Sequence, residues 1–545
     1  MSGVWLGLVA LIHPVGEFPL NDDWVYADTA RALLERGRLT VIPYTEAASV
    51  THALWGVLFC LPGGWSYSAL RLSTAILGLA GVLTTWALLR ETGAPRPVAL
   101  LGGLTLALNP LYMSLALTFM TDVPFTALLL LALLFLGRSL RRDSITDLAL
   151  GTLLVVAAVL TRQAGLLVAL AFAPVALLRH GRTWKGLAWA ALPSAACGAA
   201  LAVWHEWAQG AGMDWLRNDR VRRMLESWST DPRRASGDAA WQSVVATVYV
   251  GLFCLPVLLP LASLWCRDQT PRARLAAGLA VFGLGAIVAL LTLGTGSLMP
   301  LSNNVLFDLG LGPATLRDVF IKGLPNWPRA PRGFWLAVTA LGAAGAALLV
   351  AFAAIAALRA AGSASPRRTG PGWLAALAGS FGLLYLTLNA VAGYFDRYLL
   401  PLVPVALLVA VSILNSTRGT ERPASPTVFR TGLALALGFG LFGVAATHDY
   451  FAWNRARWLA LDDLTQAAGI LPESIDGGYE FNGLYRYDPA KPWWWAGDEE
   501  YVVSFGPMPG YCETASYPFR RWAPGGDASI SVLRRCGTAD TASSP

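Results

Sequence analysis

Residues 122–142 read DVPFTALLLLALLFLGRSLRR. From Val123 to Gly137 there is no charged side chain, and the run closes on Arg138, Arg141 and Arg142. An uncharged apolar run of this kind sits at the short end of what crosses a bilayer core. Basic residues gathered at one end are an orientation signal, because Lys and Arg stay on the cytoplasmic side. The whole chain follows the same plan. Of its 545 residues, 55% are hydrophobic and only 14% charged, against about 25% charged in soluble proteins. Mean hydropathy is +0.51. One water-soluble core could not hide so much apolar surface, so the surplus faces lipid.

Apolar runs of spanning length lie at 3–20, 68–90, 97–117, 122–137, 147–161, 163–179, 184–205, 241–265, 275–298, 333–358, 373–392, 398–414 and 431–447. The expected fold is therefore an all-α polytopic membrane bundle of about 13 helices. The first run contains His13, Pro14 and Glu17 and has no basic leader, so it reads as an anchor and not as a signal peptide. Six alternate loops carry the basic residues: Arg90 and Arg96; Arg138, Arg141 and Arg142; Arg179, Arg182 and Lys185; Arg267, Arg272 and Arg274; Arg359, Arg367 and Arg368; Arg418, Arg422 and Arg430. The short loops of opposite parity hold only Arg162 and Arg397. The six basic loops are thus expected in the cytoplasm and the others outside.

On this scheme residues 1–447 form the membrane module, with outer segments at 21–67, 206–240 and 299–332. Residues 448–545 form a small extracytoplasmic α/β domain, with a helical stretch at 450–468 and strand-like runs near 501–505 and 529–534. The segment 214–234 mixes Arg217, Arg220, Arg222, Arg223, Arg233 and Arg234 with Asp214, Asp219, Glu226 and Asp231, as a surface helix would. The net charge of +7 does not indicate nucleic acid, because the positive excess sits in membrane loops, and residues 447–545 carry thirteen acidic against eight basic side chains. Four cysteines lie in or beside apolar runs. Cys512 and Cys536 are alone together in the tail, where an extracytoplasmic location makes a disulfide the expected state. No His, Cys or Glu-x-x-His spacing marks a metal site, and no glycine-rich fingerprint marks a nucleotide fold.

The chemistry-bearing residues stand at the outer boundary. Asp22 and Asp23 follow the first run and open an amphipathic stretch in which Ala30, Leu33, Leu34 and Gly37 keep helical spacing. One of the two acids as a helix cap accounts for them as well as a functional pair does. Asp122 with Thr121 and Pro124 has the same two readings at the start of the fourth run. Arg162 sits in a tight outer turn, Thr161-Arg162-Gln163, against the charge trend. Snorkelling to the interface is its plain explanation. Arg397, the other exception, has an ion pair with Asp396 or a phosphate contact as alternatives.

The run Asp22-Asp23-x-x-Tyr26-Ala27-x-x-Ala30-Arg31-x-Leu33-x-x-Gly37, ending at Pro43, resembles the first outer loop of GT-C fold glycosyltransferases. It is most similar to the lipid A aminoarabinose transferase and protein O-mannosyltransferase group. That resemblance implies transfer of a sugar from a polyprenyl-phosphate donor to a lipid, glycan or protein acceptor at the outer face of a bacterial inner membrane. It implies Asp22 as the general base, with Asp23 where the family usually has Glu. It implies Tyr26 and Asp122 as substrate contacts. Arg162 stands where the family commonly has Lys facing the donor phosphate, and Arg397-Tyr398-Leu399-Leu400-Pro401 resembles the family's Arg-Tyr-Leu-x-Pro segment. Relatives often carry Lys-Pro-Pro after the first outer helix; this chain has Val50-Thr51-His52, which leaves His52 as a substrate contact or a plain interfacial histidine. Some GT-C enzymes use a divalent cation and others none, so metal use stays open. Two other classes also stay open: a transporter or flippase of lipid-linked substrates, and a non-catalytic membrane subunit.

The charge pattern makes a direct prediction. A reporter fused after Pro545 should read extracytoplasmic, and one placed near Arg141 cytoplasmic. Two reporters on the same side would break the scheme.

Overall fold

The protein is described by a computed structural model covering all residues except 43, 46, 212–218, 268, 363–369, 416–424, 489, 492–498 and 537–545. Pro43, Asp214, Arg217, Arg367, Arg368, Arg418 and Arg422 therefore lie outside the described residues. A short helix α1 (Ser2–Ile12) leads into α2 (Asp23–Arg36) and α3 (Val50–Cys60), and then α4 (Tyr67–Glu91), α5 (Arg96–Ala107), α6 (Pro110–Ala116), α7 (Asp122–Arg142), α8 (Ile145–Val159), α9 (Leu166–His180) and α10 (Trp184–Gly210). Beyond these come α11 (Asp219–Thr230), α12 (Pro232–Arg267), α13 (Pro271–Thr295), α14 (Arg317–Phe320), α15 (Arg332–Gly362), α16 (Gly370–Ala392), α17 (Leu402–Asn415), α18 (Pro426–Asp462) and α19 (Tyr479–Arg486).

Among the described residues ten helices are long and apolar enough to cross a membrane: α4, α7, α9, α10, α12, α13, α15, α16, α17 and α18, with α9 and α17 counted together with the short turns before them. The pair α5 and α6 makes an eleventh, bent by 60°. The bend has a local cause. Asn109 leaves helical geometry and its Oδ1 accepts from the Tyr112 N–H, which starts a new helix with Pro110 in its first turn. The remaining two expected runs, 3–20 and 147–161, become α1 and α8, of 11 and 15 residues. Both are shorter than an ordinary span of about 17–25 residues. α1 stops at His13, which takes a left-handed conformation (φ 53°) just before Pro14. The spans meet closely through small residues. At Gly345 of α15 an added Cβ would lie 2.1 Å from the Gly251 carbonyl of α12, so neither helix tolerates a side chain at that crossing.

The tail is joined to the membrane module without a break. α18 is 37 residues long and runs through 447/448. The helical stretch expected at 450–468 is its far end, followed by one π-turn at Asp463–Ala467, and not a separate helix. A four-stranded sheet follows in the order β3-β4-β6-β5, where a two-residue ribbon, β1 (Leu306–Phe307) with β2 (Gly310–Leu311), precedes it in the chain. β3 (Ile475–Asp476) pairs parallel with β4 (Tyr501–Ser504); β5 (Tyr511–Arg521) and β6 (Gly526–Arg535) form an antiparallel hairpin. β5 is an edge strand with Pro518 in it, and from Ala515 to Arg520 its side chains alternate between the apolar cluster and solvent. Phe451, Trp453, Phe481, Ile530 and Val532 of the tail share one apolar cluster with Ile12, Phe18 and Leu20.

Cys512 and Cys536 are joined by a disulfide at the open end of the β5–β6 hairpin, with Cα atoms 5.3 Å apart. It closes a 24-residue separation, a loop for which the chain-entropy contribution is about 3 kcal/mol. Replacing both cysteines by serine should lower the unfolding free energy of the tail by about that amount. Non-reducing peptide mapping that finds both thiols free would refute the pairing.

Candidate active site

Four charged side chains that the sequence leaves far apart meet at one end of the spans. Asp22 stands at the N-terminal end of α2, but its side chain makes no cap bond. Instead Oδ2 accepts from Arg397 Nη2 at 2.7 Å, and Oδ1 accepts from the Tyr479 hydroxyl at 2.7 Å. Asp122, at the start of α7, is 1% exposed and pairs with Arg162 Nη2 at 2.9 Å; its Oδ1 is also 4.0 Å from Arg397 Nε. Thr121 does not cap α7 either. Its hydroxyl oxygen accepts from Arg162 Nε at 2.8 Å. The order Asp22, Arg397, Asp122, Arg162 thus forms a chain of alternating charge with no net excess. A buried charge without a partner is far more costly than this balanced set.

Arg162 does not snorkel. It is pinned by Thr121 and Asp122 and lies over the Tyr398 ring, 4.9 Å from the centroid. Arg397 does not pair with Asp396 through its guanidinium. Asp396 is buried and its carboxylate accepts the backbone N–H groups of Asn304, Val305, Leu306 and Arg397 itself. That clamp fixes the turn before α17 and aims the Arg397 side chain at Asp22. Among the described residues Arg397 Nε and Nη1 are buried without a hydrogen-bond partner. Its Nη2 is committed to Asp22 and its Nε faces Asp122, so acids hold this guanidinium on two sides.

Asp22, Tyr26, Arg162 and Arg397 line one cavity of about 810 Å³. Tyr44, Tyr385, Asn389 and Tyr398 add polar groups, and Leu166, Leu167, Leu201, Trp204 and Leu388 from membrane helices give it an apolar side. Asp122 stands behind the arginines, outside the lining. Two of the expected site residues lie elsewhere. Asp23 is fully buried and points away from the cavity: Oδ1 accepts from the Leu20 N–H at 2.6 Å and Oδ2 from the Phe119 N–H at 3.2 Å. It stitches the start of α2 to the loop before α7, and the acid pair is divided between two tasks. His52 is buried on α3, stacked on Phe119 with centroids 3.9 Å apart, and its Nε2 lies 3.1 Å from the Phe119 carbonyl. Burial pushes its pKa down to about 4, so the ring is neutral near pH 7. Among the described residues no three His, Cys, Asp or Glu side chains come together as a metal site would need.

Tyr44 and Tyr479 were not legible in the sequence. Neither sits in a charge anomaly or in a motif, and only the approach of α19 to α2 brings them to Asp22.

Residues 50–207 match the family model described as dolichyl-phosphate-mannose-protein mannosyltransferase, which meets the resemblance to the protein O-mannosyltransferase group read from residues 22–43. That stretch contains Asp122 and Arg162 but neither Asp22 nor Arg397. No curated protein sequence gives a match to the chain. Among solved structures the chain is similar to ArnT from Cupriavidus metallidurans in the apo state, at 17% identity over 88% of this chain and 82% of that one, with a TM-score of 0.41. The same protein bound to undecaprenyl phosphate gives 17% identity, 87% and 80% coverage, and a TM-score of 0.40. The Archaeoglobus fulgidus oligosaccharyltransferase in its apo form gives 12% identity over 85% of this chain and 58% of that one, with a TM-score of 0.42.

Asp23 yields a pH test. Burial raises its carboxyl from 3.8 to about 7, against the opposing pull of Arg71 and of two backbone N–H donors. Between those values the folded chain keeps a proton that the unfolded chain has released. The stability this group contributes is therefore present below about pH 4 and lost as pH rises through about 7. The advantage in melting temperature of the native protein over Asp23→Asn should shrink from pH 5 to pH 8. An advantage that grows over the same interval would reverse the assignment.

Proposed function

We propose that this protein is a membrane glycosyltransferase that moves a sugar from a polyprenyl-phosphate carrier to a lipid, glycan or protein acceptor at the outer face of a bacterial inner membrane. The observation that carries the reading is the single cavity in which one carboxylate, Asp22, faces two guanidinium groups, Arg162 and Arg397, beside an apolar wall formed by membrane helices. A sugar phosphate on a long hydrocarbon tail has the same three parts: a nucleophile-facing carbon, an anionic leaving group and an apolar chain.

The chemistry follows from those positions. Asp22 takes the proton from the acceptor nucleophile as that atom bonds to the anomeric carbon. The bond from that carbon to the phosphate oxygen breaks, and the oxygen leaves with its electron pair. Arg162 and Arg397, which both line the cavity, receive the charge that grows there, where water is scarce and such contacts are strong. Attack and departure on opposite sides of the carbon make the transfer inverting. A transport path would place ionisable groups along the span interiors; here the charges gather at one boundary, which favours surface chemistry. The outward orientation rests on the basic loops.

Three variants test the assignment in the purified full-length protein with a panel of polyprenyl-phosphate sugars. Asp22→Asn keeps the size of the side chain and should lower kcat by about 10²–10⁴-fold, the usual loss for a general base. Arg162→Ala and Arg397→Ala should act on the donor, with Arg162→Ala raising the apparent donor KM more than it lowers kcat. Near-native turnover by Asp22→Asn would remove the catalytic assignment.

A further inference from the structure

The tail domain touches the proposed base directly. Two consecutive residues of the first outer loop meet two consecutive residues at the start of α19. The Asn21 N–H donates to Glu480 Oε1 at 2.9 Å, and the Tyr479 hydroxyl donates to Asp22 Oδ1 at 2.7 Å. Tyr479 is held from every side. Its own N–H donates to the Thr315 carbonyl at 3.2 Å. Gly478 before it takes φ +89°, and a Cβ there would lie 2.8 Å from Leu316 Cδ2 and 3.0 Å from the Thr315 oxygen. Glu480 after it is fully buried and accepts from Arg457 Nη1 at 2.7 Å and from the Thr315 hydroxyl at 2.8 Å. The Tyr479 and Tyr44 hydroxyl oxygens are 2.6 Å apart. A carboxylate only accepts, so the single Tyr479 proton goes to Asp22 and Tyr44 supplies the proton between the two phenols. Tyr44 is exposed and also lines the cavity.

We propose that Tyr479 is a positioning residue for the Asp22 carboxylate, so that the C-terminal domain completes the active site. Arg397 holds Oδ2 and Tyr479 holds Oδ1, each at 2.7 Å. Two donors, one from the turn before α17 and one from the start of α19, remove the freedom of the carboxylate to rotate about its Cβ–Cγ bond. One lone pair on each oxygen is used, and the others remain for the acceptor proton. A base fixed in this way spends less of its reactive encounters in unproductive orientations. The inference rests on the reading of Asp22 as the base.

The test uses Tyr479→Phe in the purified full-length protein, which removes one hydroxyl and keeps the ring. The expected result is a fall in kcat of about tenfold, the usual scale for losing a donor to a charged acceptor. Donor KM should stay within about twofold and the melting temperature should not change, because the Glu480 and Thr315 contacts persist. If Tyr479 acts through Asp22, the same change made in the Asp22→Asn background should cost almost nothing in the residual turnover. Native kcat in Tyr479→Phe, an equal fall in both backgrounds, or a lower melting temperature with kcat unchanged would each overturn the inference while leaving the glycosyltransferase reading intact. Native turnover in Asp22→Asn would instead remove that reading, and this inference with it.

Discussion

The ion pair between Asp22 and Arg397 joins residues 375 positions apart, and one end of the bundle is arranged around it. Arg397 can reach Asp22 only because Asp396 clamps the loop at residues 304–306 and fixes the turn from which α17 starts. Asp122 and Arg162 extend the pair into a neutral set of four charges. Neutrality matters in this place, where solvation by water is weak. A lone guanidinium would be costly to bury, whereas here Arg397 lines the cavity with Asp22 and Asp122 beside it. The two guanidinium groups at the cavity are thus already compensated by acids standing behind and beside them.

Much of this was legible residue by residue and little of it as geometry. The membrane bundle follows from composition and apolar runs, which act locally. Arg162 and Arg397 stand out because each breaks the charge trend of its loop, and Asp22 and Asp122 because each stands where an apolar run meets the outer surface. Which acid meets which base is a matter of tertiary packing, and nothing in the spacing encodes it. The pair Asp22-Asp23 shows the limit well. Adjacent residues at a helix start point in different directions, so one carboxylate faces the cavity while its neighbour is buried against Phe119. His52 reads as polar and available in the sequence, yet the aromatic stack with Phe119 uses its ring for packing. Helix length was the other weak point. Hydropathy cannot see that His13 and Pro14 stop α1, or that Asn109 breaks the third run into two helices.

The tail appears in the sequence as an acidic appendage with its own strands. In the folded chain it is part of the membrane module. The buried Arg457–Glu480 pair, the Glu480 contact with Asn21, and the shared cluster of Phe18, Leu20, Trp453 and Phe481 bind it to the first outer loop. Removal of one member of such a buried pair strands the other, at a cost of about 3–5 kcal/mol. The loops at this end of the bundle are therefore not free connections; several are the walls against which the tail folds.

α18 gives that union a mechanical meaning. With 37 residues, it is a rod of about 55 Å, while the hydrocarbon core is about 30 Å thick. Roughly 25 Å of continuous helix is consequently left over beyond the core thickness, and Arg457, which grips Glu480, lies near its far end. Helices answer a thinner or thicker bilayer by changing tilt. A rotation on the order of 5° at the membrane boundary moves the far end of such an arm by about 2 Å, which is the difference between a hydrogen bond and none. A change of tilt in α18 would in that sense reach Glu480 and its neighbour Tyr479, carried along a lever whose fulcrum is the membrane surface.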